Sequence, residues 1–365
     1  MNHELKKIKK LRIGFIGCGE VTQVLHLPTL RELPDLFEVV AFCDVSATVL
    51  DGAAAGWPGA TRHREVSALV NDPRVDAVVV ANPNAYHAEA ALAAMRARKH
   101  VLIEKPVCVT QAEAEALMEA EREFGVIAQV GYMRRHAPAF VQAVQRLAER
   151  KEPISLARVH DVIGPNSAFV ESAVGTVVRA NDVPGEVIEA GKRKMSEQYL
   201  AEIGVDSGPL SNAFGLCLGL VSHDTSAMRE MLGMPKSVLY ARQRHEGRWI
   251  TAAFDYGDFI CHLEVGLDQI AHFDCHLEVF MPSQVLKVEY ESPYIRHQAT
   301  RLTVTEASGP HGVATAMSFP TRNDAFVAEW RAFHEHVVDG TQPKCSIEDA
   351  TQDLSLFREM IRLMR

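Results

Sequence analysis

Short, unbroken apolar runs alternate with longer stretches of helical period over the first third of the chain, and they predict a strict succession of strands and helices. Leu11–Ile16 is a continuous apolar-rich run broken by Gly17 and Gly19. Residues 20–31 have helical character, and 38–43 form a second buried-strand run closed by Asp44. Ser46 caps a helix that stops near Gly56, and residues 75–81 give a third strand ending at Asn82-Pro83. An alanine-rich helix over 87–98, a strand over 101–103, a helix over 110–124 capped by Thr110 and a strand over 126–130 complete the series. Strands alternating with helices require right-handed crossovers and a parallel sheet. Such a sheet is covered on both faces, which suits apolar runs that do not alternate. Residues 1–131 therefore read as a doubly wound α/β domain.

The rhythm changes after about residue 150. Strand-like segments recur at 154–162, 249–256, 259–266, 275–280, 285–290 and 301–306 with few helices between them, and Asp255-Tyr256-Gly257-Asp258 has the composition of a hairpin turn. One helical stretch, 210–232, interrupts them, and 164–208 shows no clean period and is expected to form an irregular excursion of functional kind. Two helices, 324–338 and 347–363, separated by Gly340 and Pro343, end the chain and are placed to pack back on the first domain. Residues 132–365 thus read as an α+β domain with a mostly antiparallel open sheet.

Composition narrows the classes. A chain of 365 residues with 47% hydrophobic and 23% charged residues is long enough for two cores rather than one. The formal charge of −9 disfavours a nucleic-acid partner, and the basic clusters at 6–10 and 192–194 are too short for a phosphate-tracking stripe. No apolar run reaches the length of a signal peptide or membrane span, and the seven cysteines contain no Cys-x-x-Cys pair. A reduced, cytoplasmic enzyme is the expectation.

Chemistry enters at the first strand-to-helix turn, Gly17-Cys18-Gly19-Glu20-Val21-Thr22. Gly17 allows the tight turn, Gly19 lets backbone approach a pyrophosphate, and the following helix supplies amide donors at its positive end. The third glycine of the usual dinucleotide fingerprint is replaced by Thr22. Asp44, closing the second strand, is the acid expected on the adenosine ribose hydroxyls. No basic residue follows within Val45-Ser46-Ala47-Thr48, so the cofactor is read as NAD rather than NADP.

With Gly17-Cys18-Gly19, Asn82-Pro83-Asn84-Ala85-Tyr86-His87, Glu104-Lys105-Pro106, Gly131-Tyr132-Met133-Arg134-Arg135 and Ser222-His223-Asp224 together, the chain resembles the glucose–fructose oxidoreductase/inositol 2-dehydrogenase (Gfo/Idh/MocA) family. The resemblance implies a Rossmann domain followed by an open-sheet domain whose exposed face makes oligomer contacts, here a homodimer or homotetramer. It implies hydride chemistry on carbohydrates and cyclitols, and a few such proteins recycle NAD in glycoside cleavage. It also implies that Lys105 and His223 act on the substrate hydroxyl, that Asn82, Pro83 and His87 lie beside the nicotinamide half of the cofactor, and that Arg135 belongs to the substrate side.

The residues support parts of this independently. Lys105 follows a parallel strand at its carboxyl end, the ligand edge of such a sheet, and Pro106 restrains its backbone. Partial burial and a cationic nicotinamide both lower a lysine pKa, which suits proton exchange near neutrality. Glu104 reads as a hydrogen-bonding partner, and His87 either contributes to the cofactor pocket or packs in its helix. The resemblance puts an aspartate four residues before the catalytic histidine, where this chain has Gly219. Asp224 cannot replace it, since adjacent helical residues point roughly 100° apart. Gly215, Gly219 and His223 instead share a helical stripe that is either an open substrate patch or a close packing face, and Asp161 or Asp206 could supply a relocated carboxylate.

Among 16 histidines, His272 and His276 would sit roughly 13 Å apart along a strand, and His334 and His336 point apart on a helix, so no metal is predicted. The leading function is NAD-dependent hydride transfer at a secondary carbinol of a sugar or cyclitol. Its alternatives are an NAD-recycling glycosidase, with Arg179 and Lys192, Arg193 and Lys194 as contacts for an anionic sugar, and a non-catalytic NAD sensor.

Overall fold

The computed structural model describes residues 9–173 and 177–365; Lys6 and Lys7 of the N-terminal basic cluster lie outside the described residues. The first sheet is built from β1 (Leu11–Ile16), β2 (Phe37–Cys43), β3 (Thr61–His63), β4 (Ala77–Val80), β5 (His100–Glu104) and β6 (Ala128–Gly131), all parallel, in the order β3-β2-β1-β4-β5-β6. The order reverses between β1 and β4, so the carboxyl ends of those two strands flank a crevice at the ligand edge. The alanine-rich helix His87–Arg96 and the capped helix Gln111–Phe124 cover one face of this sheet. In the second, Thr110 accepts from the Glu113 N–H at 3.2 Å, and Glu113 accepts in return from the Thr110 N–H at 3.1 Å.

The second sheet has eight strands: β7 (Leu156–Ile163), β8 (Ser237–Arg244), β9 (Trp249–Asp255), β10 (Ile260–Leu267), β11 (Phe273–Phe280), β12 (Gln284–Tyr290), β13 (Arg301–Ser308) and β14 (Gly312–Ser318), in the order β14-β13-β12-β11-β7-β10-β9-β8. Every pairing is antiparallel except β7 with β10. Inward positions such as Val159, Leu263 and Leu277 are buried, whereas Arg158, His160 and Glu264 face outward.

Two expectations are corrected. The segment 164–208 is not irregular. It contains the helices Asn166–Ala173 and Gly185–Ile203; the second buries only Gln198 and Ile203, so it has no apolar stripe to betray a helix in the sequence. Nor does each half have its own core. One apolar cluster runs from Val78 and Val130 of the first sheet to Leu263 and Leu277 of the second. A further cluster inserts Trp330 and Phe333 of the helix Ala325–Asp339 among Leu11, Phe15 and Phe37. Among the described residues no helix is long and apolar enough to cross a membrane.

Candidate active site

Two turns at the carboxyl edge of the first sheet make the cofactor cradle. Gly17 has φ +90°, and a Cβ there would lie 2.4 Å from the backbone of Ala81 and Asn82, so only glycine lets the β1 and β4 ends approach so closely. A Cβ at Gly19 would meet nothing within 4 Å, which leaves open space before the helix that begins at Glu20 and Val21. Thr22, in the third-glycine position, turns its hydroxyl inward to donate to the Gly17 carbonyl at 2.7 Å. Asp44 accepts from the Cys18 N–H and the Ser46 N–H, both at 2.8 Å, and so holds the glycine turn against the end of β2. The buried Asn82 Oδ1 has no partner among the described residues and offers an acceptor beside β4. These features fit a dinucleotide: a glycine cradle, open space at a helix start, an acid at the second strand and an unpaired amide oxygen at the fourth.

His87 ties the cradle to the next turn. Its ring nitrogens lie 2.7 Å from the Pro106 and Asn82 carbonyls, so it links the ends of β4 and β5 from behind, and burial pushes its pKa down. The Lys105–Pro106 peptide is cis. Glu104 lines the opening beside Lys105 and lies 2.9 Å from His26. Trp330 Nε1 donates to His26 Nδ1 at 3.1 Å, which leaves His26 Nε2 to donate to Glu104. Burial alone would raise the Glu104 pKa, but the hydrogen bond from His26 and the nearby cations hold it below its usual range.

Lys105 and His223 face one partly open cleft. Val21 and Leu25 come from the first helix, Met133 and Arg134 from the turn after β6, and Ile163 and Asn166 from the end of β7 and beyond. Glu104, Gly219, Leu220, Phe273, Pro293, Tyr294 and Phe326 close the rest. The helix predicted over 210–232 is continuous but widens to π-helix at Cys217–Val221, where the Ser222 N–H reaches back five residues to Cys217. That wide turn splits the glycine stripe. Gly215 faces the Tyr199 hydroxyl, 3.1 Å from where its Cβ would be, whereas a Cβ at Gly219 would meet nothing within 4 Å. Lys105 Nζ donates to the Gly219 carbonyl at 2.7 Å, so the π turn positions the lysine as well as opening the patch.

Burial lowers the Lys105 pKa; Glu104 opposes the shift and Arg134 adds to it. Burial, Lys105 and Arg134 together push His223 well below the ordinary histidine value, so its ring is neutral, and its Nδ1 has no partner among the described residues. The site therefore joins a lysine biased toward the free amine to a neutral imidazole with spare hydrogen-bonding capacity.

Three expected positions fall elsewhere. Asp206 is exposed, bonds to the Ser207 hydroxyl and does not line the cleft. Arg135 turns away into ion pairs with Glu230 and Asp349, and its neighbour Arg134 lines the cleft instead. Asp161 is fully buried beneath Arg134, which donates to Asp161 at 2.8 Å and to Asp224 at 2.7 Å. Carboxylate oxygens of Asp161 and Asp224 and the Cys275 sulfur lie within 4.8 Å of one another, but the Arg134 guanidinium already supplies the cation between the two acids. Burial and the Asp161 charge raise the Asp224 pKa. None of the basic residues offered to an anionic sugar lines the cleft: Arg179 pairs with Glu20, Lys192 with Glu189, and Lys194 with Glu89 and over the Tyr86 ring, and Arg193 also lies outside it. Sequence reading missed Asn166, Tyr294 and Phe273, which no local pattern marks.

Comparison with known proteins now assigns the class. Residues 11–132 match the model of the oxidoreductase family with an NAD-binding Rossmann fold, and this domain belongs to the Gfo/Idh/MocA family. Inositol 2-dehydrogenase 2 of Saccharopolyspora erythraea is 36% identical over 176 residues, 47% of this chain and 52% of that protein, so the chain spans about half the length of this curated relative. Two solved structures share the whole fold. A levoglucosan dehydrogenase in complex with NADH and L-sorbose has TM-score 0.75 and 17% identity over 97% of both chains. KijD10, a 3-ketoreductase from Actinomadura kijaniata in complex with TDP-benzene and NADP, has TM-score 0.72 and 23% identity over 97% of both.

Proposed function

We propose that this chain is an NAD-dependent oxidoreductase that moves a hydride between a secondary carbinol of a sugar or cyclitol and nicotinamide. The observation that carries the reading is the meeting of Lys105 and His223, from opposite halves of the chain, in one cleft beside the glycine cradle. A bound nicotinamide ring would supply the hydride acceptor. Gly17, Gly19 and the amides opening at Glu20 and Val21 would hold the pyrophosphate, Asp44 the ribose hydroxyls, and Asn82 with Pro83 the nicotinamide side. Lys105, as the free amine, takes the hydroxyl proton during oxidation and returns it during reduction. His223, neutral, donates or accepts a hydrogen bond at the same oxygen and fixes its direction. Arg134 stands beside them as a fixed positive charge that disfavours protonation of both. Asp161 and Asp224 position Arg134 and do not reach the substrate.

The inositol 2-dehydrogenase relative supports a polyhydroxylated substrate. Assembly as a homo-oligomer through the second sheet belongs to the same reading, supported by the exposed Leu239, Tyr240 and Ile260 on its strands. The test is a panel of sugars, cyclitols and aryl glycosides incubated with NAD while nicotinamide absorbance and aglycone release are followed. Net NADH formation with a sugar or cyclitol is expected. Aglycone release that needs NAD without net NADH would replace the reading with a recycling glycosidase, and binding without either signal would make the protein a sensor.

A further inference from the structure

Residues 177–182 leave the excursion and cross the starts of the helices that follow β1 and β2. Gln23 clamps this strap: its amide nitrogen donates to the Val178 carbonyl at 2.9 Å, and its oxygen accepts from the Val178 N–H at 3.0 Å. Arg179 pairs with Glu20 at 3.0 Å. Gly52, on the helix Ala47–Ala54, has no room for a side chain, because a Cβ there would lie 2.7 Å from Val178. At the end of the strap, Asp182 accepts from the Ala47 N–H at 2.8 Å, from the Thr48 N–H at 3.2 Å and from the Ser46 hydroxyl. The free amides of that helix start are thus taken by a carboxylate that comes from more than 130 residues away along the chain.

The corner matters because Asp44 stands two residues before Ser46 and bonds its N–H at 2.8 Å. A phosphate on the adenosine 2′-oxygen would seek amides and positive dipole at such a helix start. One cation is at hand: Arg64, just after β3, donates to the Val45 carbonyl. Charge at this corner is therefore contested between Arg64 and two carboxylates.

We propose that Asp182 is a cofactor-selecting residue: it occupies the donors a 2′-phosphate would use and, with Asp44, makes the corner acidic, so that the dinucleotide with a free 2′-hydroxyl is taken and the 2′-phosphorylated one refused. This rests on the reading that the Asp44 corner receives the adenosine ribose. Asp182 is exposed, so its repulsion of a phosphate is moderated by solvent and salt, while the amides it occupies are hydrogen bonds denied to the phosphate.

Titration of NADH and NADPH by nicotinamide fluorescence, without substrate, tests it. The wild type binds NADH more tightly. Asp182→Asn keeps a good helix cap, so it isolates charge from capping. It is expected to tighten NADPH by about tenfold or more while moving NADH less than about threefold, and the NADPH gain should shrink as salt is raised. Adding Arg64→Ala should remove that gain. Overturning results are an unchanged NADPH affinity in Asp182→Asn, a parallel weakening of both nucleotides, or a wild type that prefers NADPH. Failure of the underlying reading looks different: neither nucleotide binds the wild type.

Discussion

Lys105 reaches the cleft because the β5 end, the His87 bridge and the Gly219 carbonyl fix its backbone and its ammonium at the same time. Its pKa is lowered by burial, so oxidation should gain rate with rising pH along a limb below the ordinary lysine value. Lys105→Met should lower kcat by about a hundredfold or more, remove that limb and leave NADH affinity within a few-fold, as expected of a group used in the transition state. A raised KM with kcat intact would make Lys105 a binding residue. Gly219→Asp tests the patch. Space is open there, and replacing a helical glycine stabilises by roughly 0.5–1 kcal/mol, so the melting temperature should hold or rise. Activity should collapse and the residual pH limb should move to higher pH, since a new carboxylate favours the protonated forms of Lys105 and His223. A lower melting temperature with normal activity would show that the glycine serves packing. Gly17, Asp44 and Lys105 were legible because each sits at a strand end whose chemistry is local, whereas His223, inside a continuous helix, was marked only by the family resemblance. Arg134 was not legible, because nothing in Arg134-Arg135 tells which side chain faces the cleft and which meets Glu230; only the turn after β6 decides it.

At the level of elements, buried strands were readable, including β6 at the edge of the first sheet, and exposed or very short ones were not. β14 is exposed along nearly all its length and β3 spans three residues, so neither shows an apolar run or alternation. The π turn at Cys217–Val221 left no mark either, because its residues are ordinary helix formers apart from Gly219. The helix Ala325–Asp339 contains the clearest anomaly, Glu329, fully buried with neither carboxylate oxygen partnered. Burial and the Glu104 charge raise its pKa well above the usual range, so the folded state holds it protonated. The sign follows directly. A raised folded-state pKa gives stability that is present below the unfolded carboxyl value and is lost as pH rises toward the folded one. Glu329→Gln removes that ionisation, so its melting temperature relative to wild type should improve between pH 5 and pH 8. An equal difference at both pH values would show that Glu329 is ionised in the folded protein.

The whole molecule behaves as one packed unit despite its two sheets. The continuous apolar cluster joins them, and charged groups lock the same seam: Arg229 donates to Asp353 at 3.0 and 2.9 Å and to Asp349 at 2.9 Å, while Tyr132 donates to Asp353 at 3.0 Å. The C-terminal helix Ile347–Met364 carries both acids, and the preceding helix fills the core of the first sheet with Trp330. A chain wired this way should unfold in a single transition, because neither sheet keeps its core if the last two helices leave. The tryptophans make this measurable. Trp330 reports on the first sheet and Trp249, at the start of β9, on the second. In a Trp57→Phe/Trp330→Phe variant and in a Trp57→Phe/Trp249→Phe variant, the fluorescence midpoint should coincide with the far-ultraviolet dichroism midpoint of the same protein, even if the two variants differ in stability. Asp353→Ala should lower the midpoint by the equivalent of about 1.5–3 kcal/mol, since it leaves Arg229 to Asp349 alone and the buried Tyr132 hydroxyl without its acceptor, and the transition should stay single. If fluorescence of the Trp249 reporter separates from dichroism, the second sheet unfolds on its own and the shared core is not what couples the halves.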